Sequence, residues 1–164
     1  MTQTPSEAEP TPPTARETGT RGEDIATRYL VDRGWLILER NWRPGHGLRG
    51  ELDIIALDPE PDPEGPDSPE GTEHSQGSDG DDSPAGRPRR PRLVVVEVKT
   101  RTSLRAGAPA EAVDALKLSR LRALAGAWVA GNRVEHEGLR IDVVSVLLRT
   151  DAPAVLRHHR GVGA

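Results

Sequence analysis

The stretch RLVVVEVKTR, residues 92–101, combines an apolar run with two closely spaced charges. Its four consecutive apolar residues after Arg92 indicate a strand that is buried on both faces of a sheet. The strand then ends with Glu97 and Lys99, which alternate with valine and therefore project from the same face. Two charges at the end of a buried strand form either a solvated strand edge or part of a functional site.

A second strand, ELDIIAL at residues 51–57, has an acidic start and an apolar end. Alternation places Glu51 and Asp53 on one of its faces. If the two strands are neighbours with matching faces, Asp53 converges with Glu97 and Lys99, while Glu51 stands at the rim. Two close carboxylates repel unless a hard cation lies between them, and Mg²⁺ takes oxygen ligands. Such an ion polarises a phosphodiester and lowers the pKa of a bound water.

The lysine in this pattern is informative because the chain has only two lysines, Lys99 and Lys117, against 20 arginines. A lysine presents a compact point charge where an arginine presents a planar fork. Lys99 could orient the attacking water or stabilise charge that develops on the phosphorus oxygens. The competing interpretation is a solvated strand edge, since charge alternation is common in antiparallel sheets. The in-phase acids of G-E-L-D on the neighbouring strand favour a site.

The rest of the ordered sequence predicts two helices and three further strands. The predicted helices are 21–33, capped by Thr18 or Thr20, and a second that begins near Pro109 and ends at Gly131-Asn132. The predicted strands are 35–42, 139–148 and a short one at 154–158. The order α-β-β-β-α-β, to which the short strand 154–158 would add one more β-strand, predicts a mixed α/β sandwich with helices flanking a sheet.

Apolar residues at helical spacing define the expected buried face of each helix. For the first helix these are Ile25, Ala26, Tyr29 and Leu30. For the second helix they are Ala112, Val113, Leu116, Leu121, Leu124, Ala125 and Trp128.

Two segments, residues 1–18 and 58–92, hold 12 of the 15 prolines and almost no large apolar side chains. Such segments cannot bury enough surface to offset chain entropy, so both are expected to be disordered. The remaining residues, 19–160, are expected to form a single domain that the acidic insert 58–92 interrupts. We expect this insert to leave the sheet as a long loop between strand ends.

Removing the two segments changes the charge of the chain from −4 to +4, because they carry 13 of the 26 acidic residues but only 5 of the 22 basic ones. A basic domain suits a polyanionic partner such as a nucleic acid. Arg101, Lys117 and Arg120 are the expected contacts to its backbone. The alternative is that a net charge of this size is ordinary for a soluble domain and that these residues are a solvated face.

The chain has no cysteine, which excludes a disulfide framework, a thiolate metal site and a cysteine nucleophile. Its N-terminus lacks a basic region followed by an apolar one, and no apolar run approaches the length of a membrane span. The expected location is therefore cytoplasmic, with no membrane partner. His158-His159 lacks a partner at metal-ligand spacing.

The sequence resembles the YraN family, which consists of bacterial proteins predicted to be endonucleases and similar to archaeal Holliday-junction resolvases. The resemblance covers nearly all of residues 19–160 and is carried by RGEDIATRYLVDRGW, ERNWR, RGELDIIA, VVVEVKTR, APAEAVDALKLSRL and LRIDVVSV. Asp53 followed by Glu97-Val98-Lys99 also matches the D…(D/E)-x-K signature of the PD-(D/E)XK nuclease superfamily. The resemblance implies a restriction-endonuclease-like fold.

By this resemblance, Asp53, Glu97 and Lys99 form the catalytic core, and Asp53, Glu97 and Glu23 bind Mg²⁺ or Mn²⁺. An alternative role for Glu23 is a favourable charge near a helix N-terminus. The chain departs from the family pattern in its long acidic insert, where the family has a short turn. Because this insert joins the two catalytic strands, it either gates the site or extends into solvent.

The expected function is a metal-dependent endonuclease that hydrolyses phosphodiester bonds in DNA, including branched repair or recombination intermediates. The resemblance to junction-cutting enzymes is compatible with a homodimer. One alternative is a non-catalytic nucleic-acid-binding or DNA-processing accessory protein that retains the nuclease fold. Another is a protein-interaction module that acts through the acidic insert.

Overall fold

A computed structural model describes residues 13–45, 47–59, 90–103 and 114–163 of the chain. Most of the two segments that we expect to be disordered, and with them the predicted helix start at Pro109, lie outside these ranges. In these ranges neither helix has the length and hydrophobicity of a membrane span.

The described part contains two helices and five strands in the predicted order. They are α1 (Ala15–Val31), β1 (Leu36–Trp42), β2 (Leu52–Asp58), β3 (Arg92–Arg101), α2 (Ala115–Gly131), β4 (Leu139–Leu147) and β5 (Val155–His159). The five strands form one sheet in the order β1-β2-β3-β4-β5. β3 and β4 are parallel, while the other neighbouring pairs are antiparallel. The predicted mixed α/β sandwich is therefore confirmed.

Strand β3 lies at the centre of the sheet, which explains its run of four apolar residues. Leu93, Val94, Val95 and Val96 are all at most 1% exposed. Val94 and Val96 belong to a core with Ala26 and Leu30 of α1, while Leu93 and Val95 belong to a second core with residues of α2. One helix thus covers each face of the sheet, and β3 is buried from both sides.

Helix α1 begins at Ala15, six residues earlier than predicted, and Thr14 is its N-cap. The Thr14 hydroxyl accepts a hydrogen bond from the Glu17 amide at 3.2 Å, and the Glu17 carboxylate accepts one from the Thr14 amide at 2.8 Å. This reciprocal capping box satisfies two amides that the helix leaves free. The prediction of a cap at Thr18 or Thr20 is wrong, and residues 15–18 belong to the helix rather than to a tail.

Helix α2 buries the predicted residues Leu121, Leu124, Ala125 and Trp128, but Leu116 is 72% exposed. Including Leu116 in the buried stripe was wrong, because at 100° per residue it lies about 130° around the helix from the centre of that group. Ala112 and Val113 lie outside the described ranges.

Gly22 of α1 lies directly against Thr100 of β3. A methyl group added at Gly22 would lie 1.8 Å from the Thr100 Oγ1 atom. The helix can therefore pack at this depth only without a side chain at that position.

Replacing Gly22 with alanine is expected to lower the free energy of unfolding by about 1–3 kcal/mol, because the helix or Thr100 must move. Gly19→Ala is the matched control in the same helix, since no atom lies within 4 Å of its added methyl group. It should raise stability by about 0.5–1 kcal/mol through helix propensity. Urea unfolding of both variants measures the difference, and equal stability of the two would contradict this packing.

Candidate active site

The candidate site lies where β2 and β3 separate. Their last paired residues in this direction are Ile54 and Val96, and the next residues along the two strands are Asp53 and Glu97. Beyond this point the Asp53 Oδ2 atom accepts a hydrogen bond from the Val98 amide at 2.7 Å. The Asp53 side chain thus replaces the backbone hydrogen bonds that would otherwise continue the pairing of the two strands. The convergence expected from strand alternation is present.

Glu97 is only 5% exposed, and both lysines of the chain bind it. Its Oε1 atom lies 2.7 Å from the Nζ atom of Lys99 and 2.6 Å from that of Lys117. Lys99 is on the same strand as Glu97, whereas Lys117 comes from the first turn of α2. The two ammonium groups neutralise a carboxylate that would otherwise be costly to bury.

Among the described residues no lysine forms an ion pair with Asp53, although the charge of Lys117 acts on it, and its pKa is raised to about 7. Burial is the largest cause, and the neighbouring charge of Glu97 adds to it. The hydrogen bond from Val98 works in the opposite direction, and the charge of Glu23 raises the pKa further. Burial and a neighbouring carboxylate thus both favour the protonated form of Asp53.

The pKa of Lys99 is shifted upward from its ordinary value. Burial alone would lower it, but the hydrogen bond and the charge of Glu97 outweigh that effect, and Lys117 and Asp53 contribute in the same direction. Lys99 therefore stays protonated at neutral pH. It can donate hydrogen bonds and stabilise negative charge, but it is not suited to accept a proton.

Glu23 of α1 lies beside this pair, because its charge contributes to the raised pKa of Asp53. Its carboxylate is 3.8 Å from Nη2 of Arg40, which also binds Asp24 at 2.7 Å. Across the described ranges, no three carboxylate or histidine side chains form a group that could hold a metal ion. Glu23 does not complete a three-ligand cluster with the other two acids in this arrangement.

The residues expected to contact a nucleic-acid backbone occupy different places. Arg101 is the last residue of β3, and alternation puts it on the same face as Lys99. Arg120 is exposed on α2, with its aliphatic carbons close to Gly50. Lys117 is not part of a solvated face, because the Asp114 cap and the helix rotation direct it to Glu97.

Sequence reasoning missed a second charged cluster, which consists of the buried residues Asp58, Arg140 and Asp142 together with the half-buried His158 and the exposed Arg160. Arg140 binds Asp58 and Asp142, each at 2.8 Å, and His158 Nε2 lies 2.9 Å from Asp142. Arg160 also contacts Asp58. The only sequence signal was the in-phase pair Arg140 and Asp142 on an apolar strand. Their partners come from β2 and β5, which no local pattern indicates.

Asp58 of this charged cluster lies at the opposite end of β2 from Asp53, whereas Asp142 of β4 pairs with Val96, the residue before Glu97. Asp58 ends β2 and pairs with Arg92 at the start of β3, and the insert is attached there. Five residues separate Asp58 from Asp53, which corresponds to about 17 Å along a strand. The attachment points of the insert are therefore remote from Asp53 and Glu97. Residues 60–89 of the insert lie outside the described ranges.

Comparison with known proteins identifies the family of the chain. The sequence pattern described as "Uncharacterised protein family UPF0102" matches residues 22–146. A UPF0102 protein of Beutenbergia cavernae is 39% identical over 145 residues, which cover 88% of this chain and 94% of that protein. A UPF0102 protein of Nocardioides sp. is 37% identical over 145 residues, covering 88% and 90% of the two chains. The chain therefore belongs to the UPF0102 family, which is the YraN family that its strand motifs resemble.

Proposed function

We propose that this protein is a divalent-cation-dependent nuclease that hydrolyses phosphodiester bonds in DNA. The observation that carries the proposal is the adjacency of Asp53 and Glu97 at the separation of β2 and β3, with the Lys99 ammonium 2.7 Å from Glu97. Placing two acids and a lysine at one end of a largely apolar sheet costs desolvation free energy, so a stabilising role alone does not explain them.

Asp53 and Glu97 are the residues that would hold the cation. They offer only carboxylate oxygens, the donor type that Mg²⁺ and Mn²⁺ prefer. Mg²⁺ usually keeps several waters, so two protein carboxylates are sufficient without a third. The mutual repulsion of the two acids, one cause of the raised pKa of Asp53, supports this fit. A bound divalent cation supplies Lewis-acid polarisation of a phosphoryl oxygen and activation of a water.

Lys99 would stabilise the negative charge that develops on the phosphoryl oxygens, or orient the attacking water. Its raised pKa keeps it an ammonium, which favours these roles over that of a general base. Arg101 and Arg120 would hold the DNA backbone near the site, since phosphate contacts position a duplex without reading its sequence. Branched DNA belongs among the candidate substrates because of the resemblance to junction resolvases.

The test is cleavage of linear duplex, single-stranded and four-way-junction DNA with Mg²⁺ or Mn²⁺, and with EDTA added. We expect at least one of these substrates to be cleaved, and we expect EDTA to abolish that cleavage. Lys99→Met should lower the cleavage rate by roughly 10²-fold, because it removes one charge-stabilising donor. Arg133→Met removes an equal charge from an exposed position after α2 and should leave the rate unchanged.

Metal-dependent cleavage that Lys99→Met does not affect would overturn the site assignment. Absence of cleavage together with salt-sensitive DNA binding would instead indicate the accessory protein that retains the nuclease fold.

A further inference from the structure

We propose that Lys117 is a positioning residue of this site. Its ammonium holds Glu97 in the cation-free protein and leaves the Oε1 atom when a divalent cation binds. This inference rests on the proposed function for the identity of the site, but it concerns charge balance at Glu97 and can be tested without DNA.

The first observation is that two ammonium groups share one oxygen. Lys99 and Lys117 approach the Glu97 Oε1 atom at 2.7 and 2.6 Å. A divalent cation that binds the Oε1 atom meets two positive charges at contact distance, so at least one of them has to move. The Lys117 side chain is 35% exposed and that of Lys99 27%. Lys117, which also comes from a separate element, has the easier route into solvent.

The second observation is the position of Lys117 in its helix. The Asp114 side chain caps α2 by accepting a hydrogen bond from the Lys117 amide at 2.7 Å, so Lys117 is the third residue of the helix. That position favours glutamate, because the N-terminal end of the helix dipole is positive. A lysine there is locally unfavourable, and local conflicts of this kind are typical of functional sites. The ion pair with Glu97 offsets the conflict.

The third observation is the choice of lysine itself. The chain has 20 arginines and two lysines, and both lysines reach the same carboxylate. Where the protein needs a permanent buried ion pair, as at Arg140, it uses arginine with bidentate contacts. An ammonium on a flexible stem makes single, easily exchanged contacts, whereas a guanidinium forms a rigid fork. The use of lysine at Glu97 therefore indicates that an ammonium partner of this carboxylate can be replaced by another cation.

Calorimetric titration of the intact protein with Mn²⁺, in the absence of DNA, tests the exchange. Lys117→Met should bind Mn²⁺ about tenfold more tightly than the wild type, because a competing charge in contact with the ligand oxygen is gone. Arg133→Met, the charge-matched control, should bind as the wild type does. Unfolding curves of both variants check that they are folded.

A second measurement uses the wild-type protein and does not depend on a variant that folds. Lysine labelled with ¹³C at the ε position gives two resonances in this chain, both from the site. Addition of Mg²⁺ is expected to shift the Lys117 resonance saturably, and Glu97→Gln should abolish that shift. Lys117→Arg assigns the resonances.

Three results would overturn the inference. They are a Lys117 resonance that Mg²⁺ leaves unchanged, Mn²⁺ affinity in Lys117→Met no higher than in Arg133→Met, and a wild-type protein that binds no divalent cation. The nuclease proposal can fail independently of this inference. If both readouts behave as expected but no DNA is cleaved, the exchange at Glu97 stands and the catalytic function does not.

Discussion

Replacing Asp53 with asparagine is expected to lower DNA cleavage by at least about 10³-fold, because the amide removes one of two carboxylates that would hold the cation. Asparagine keeps an oxygen that can accept the Val98 hydrogen bond, so the local backbone is preserved. Cleavage of the preferred DNA substrate with saturating Mg²⁺ measures the effect. Asp151→Asn, in an exposed turn after β4, is the matched control and should cleave normally.

The same substitution should stabilise the protein in the presence of EDTA. The pKa of Asp53 is about 7 in the folded protein against an ordinary value of 3.8. Between these two pH values the folded state holds a proton that the unfolded state has lost, so wild-type stability falls as the pH rises from about 4 to about 7. Asparagine does not titrate, and its advantage should therefore grow over this window to at most about 4 kcal/mol.

Urea unfolding at pH 5 and pH 8 checks this prediction. We expect Asp53→Asn to gain more over the wild type at pH 8 than at pH 5, while Asp151→Asn tracks the wild type at both. An Asp53→Asn protein that cleaves DNA normally, or whose stability advantage does not change with pH, would contradict the assigned environment of Asp53. A gain in stability with a loss of activity is the behaviour expected of a residue retained for function.

The second large effect is expected at Arg140. Its side chain is 5% exposed and binds Asp58 and Asp142, whose side chains are fully buried. Arg140→Met leaves two buried carboxylates without this partner, which typically costs about 3–5 kcal/mol of unfolding free energy. Urea unfolding at pH 7 measures the loss, and the exposed control Arg133→Met should change stability by no more than about 0.5 kcal/mol.

The loss at Arg140 should shrink in acid. Burial pushes the pKa of Asp142 upward, but hydrogen bonds from His158, Arg140 and the Gly161 amide outweigh it and hold the pKa below its ordinary value. The stability that this carboxylate contributes is present above its ordinary pKa and is lost as the pH falls through its lowered one. Without Arg140 the Asp142 carboxylate protonates at higher pH, so the deficit should be smaller at pH 4 than at pH 7. An equal deficit at both would exclude an electrostatic cause.

Several parts of this structure could be predicted from local sequence. The apolar run at the start of β3 indicated a central strand, and alternation placed Glu97 and Lys99 on one face. Alternation in β2 put Asp53 in phase with them, so the convergence of the three could be predicted once the strands were taken as neighbours. These features depend on side-chain direction along a single strand, which the covalent backbone determines. Whether the three residues hold a cation stays a prediction.

The tertiary structure alone decided which distant charges meet. Lys117 is 20 residues from Glu97, and Arg140 is 82 residues from Asp58. Their pairing depends on the start and rotation of α2 and on the register of four strands, neither of which leaves a local pattern. It also decided that the insert is attached at the end of the sheet opposite to Asp53. Hydrophobic periodicity reports which face of an element is buried, but charge pairs across elements depend on how the buried faces dock.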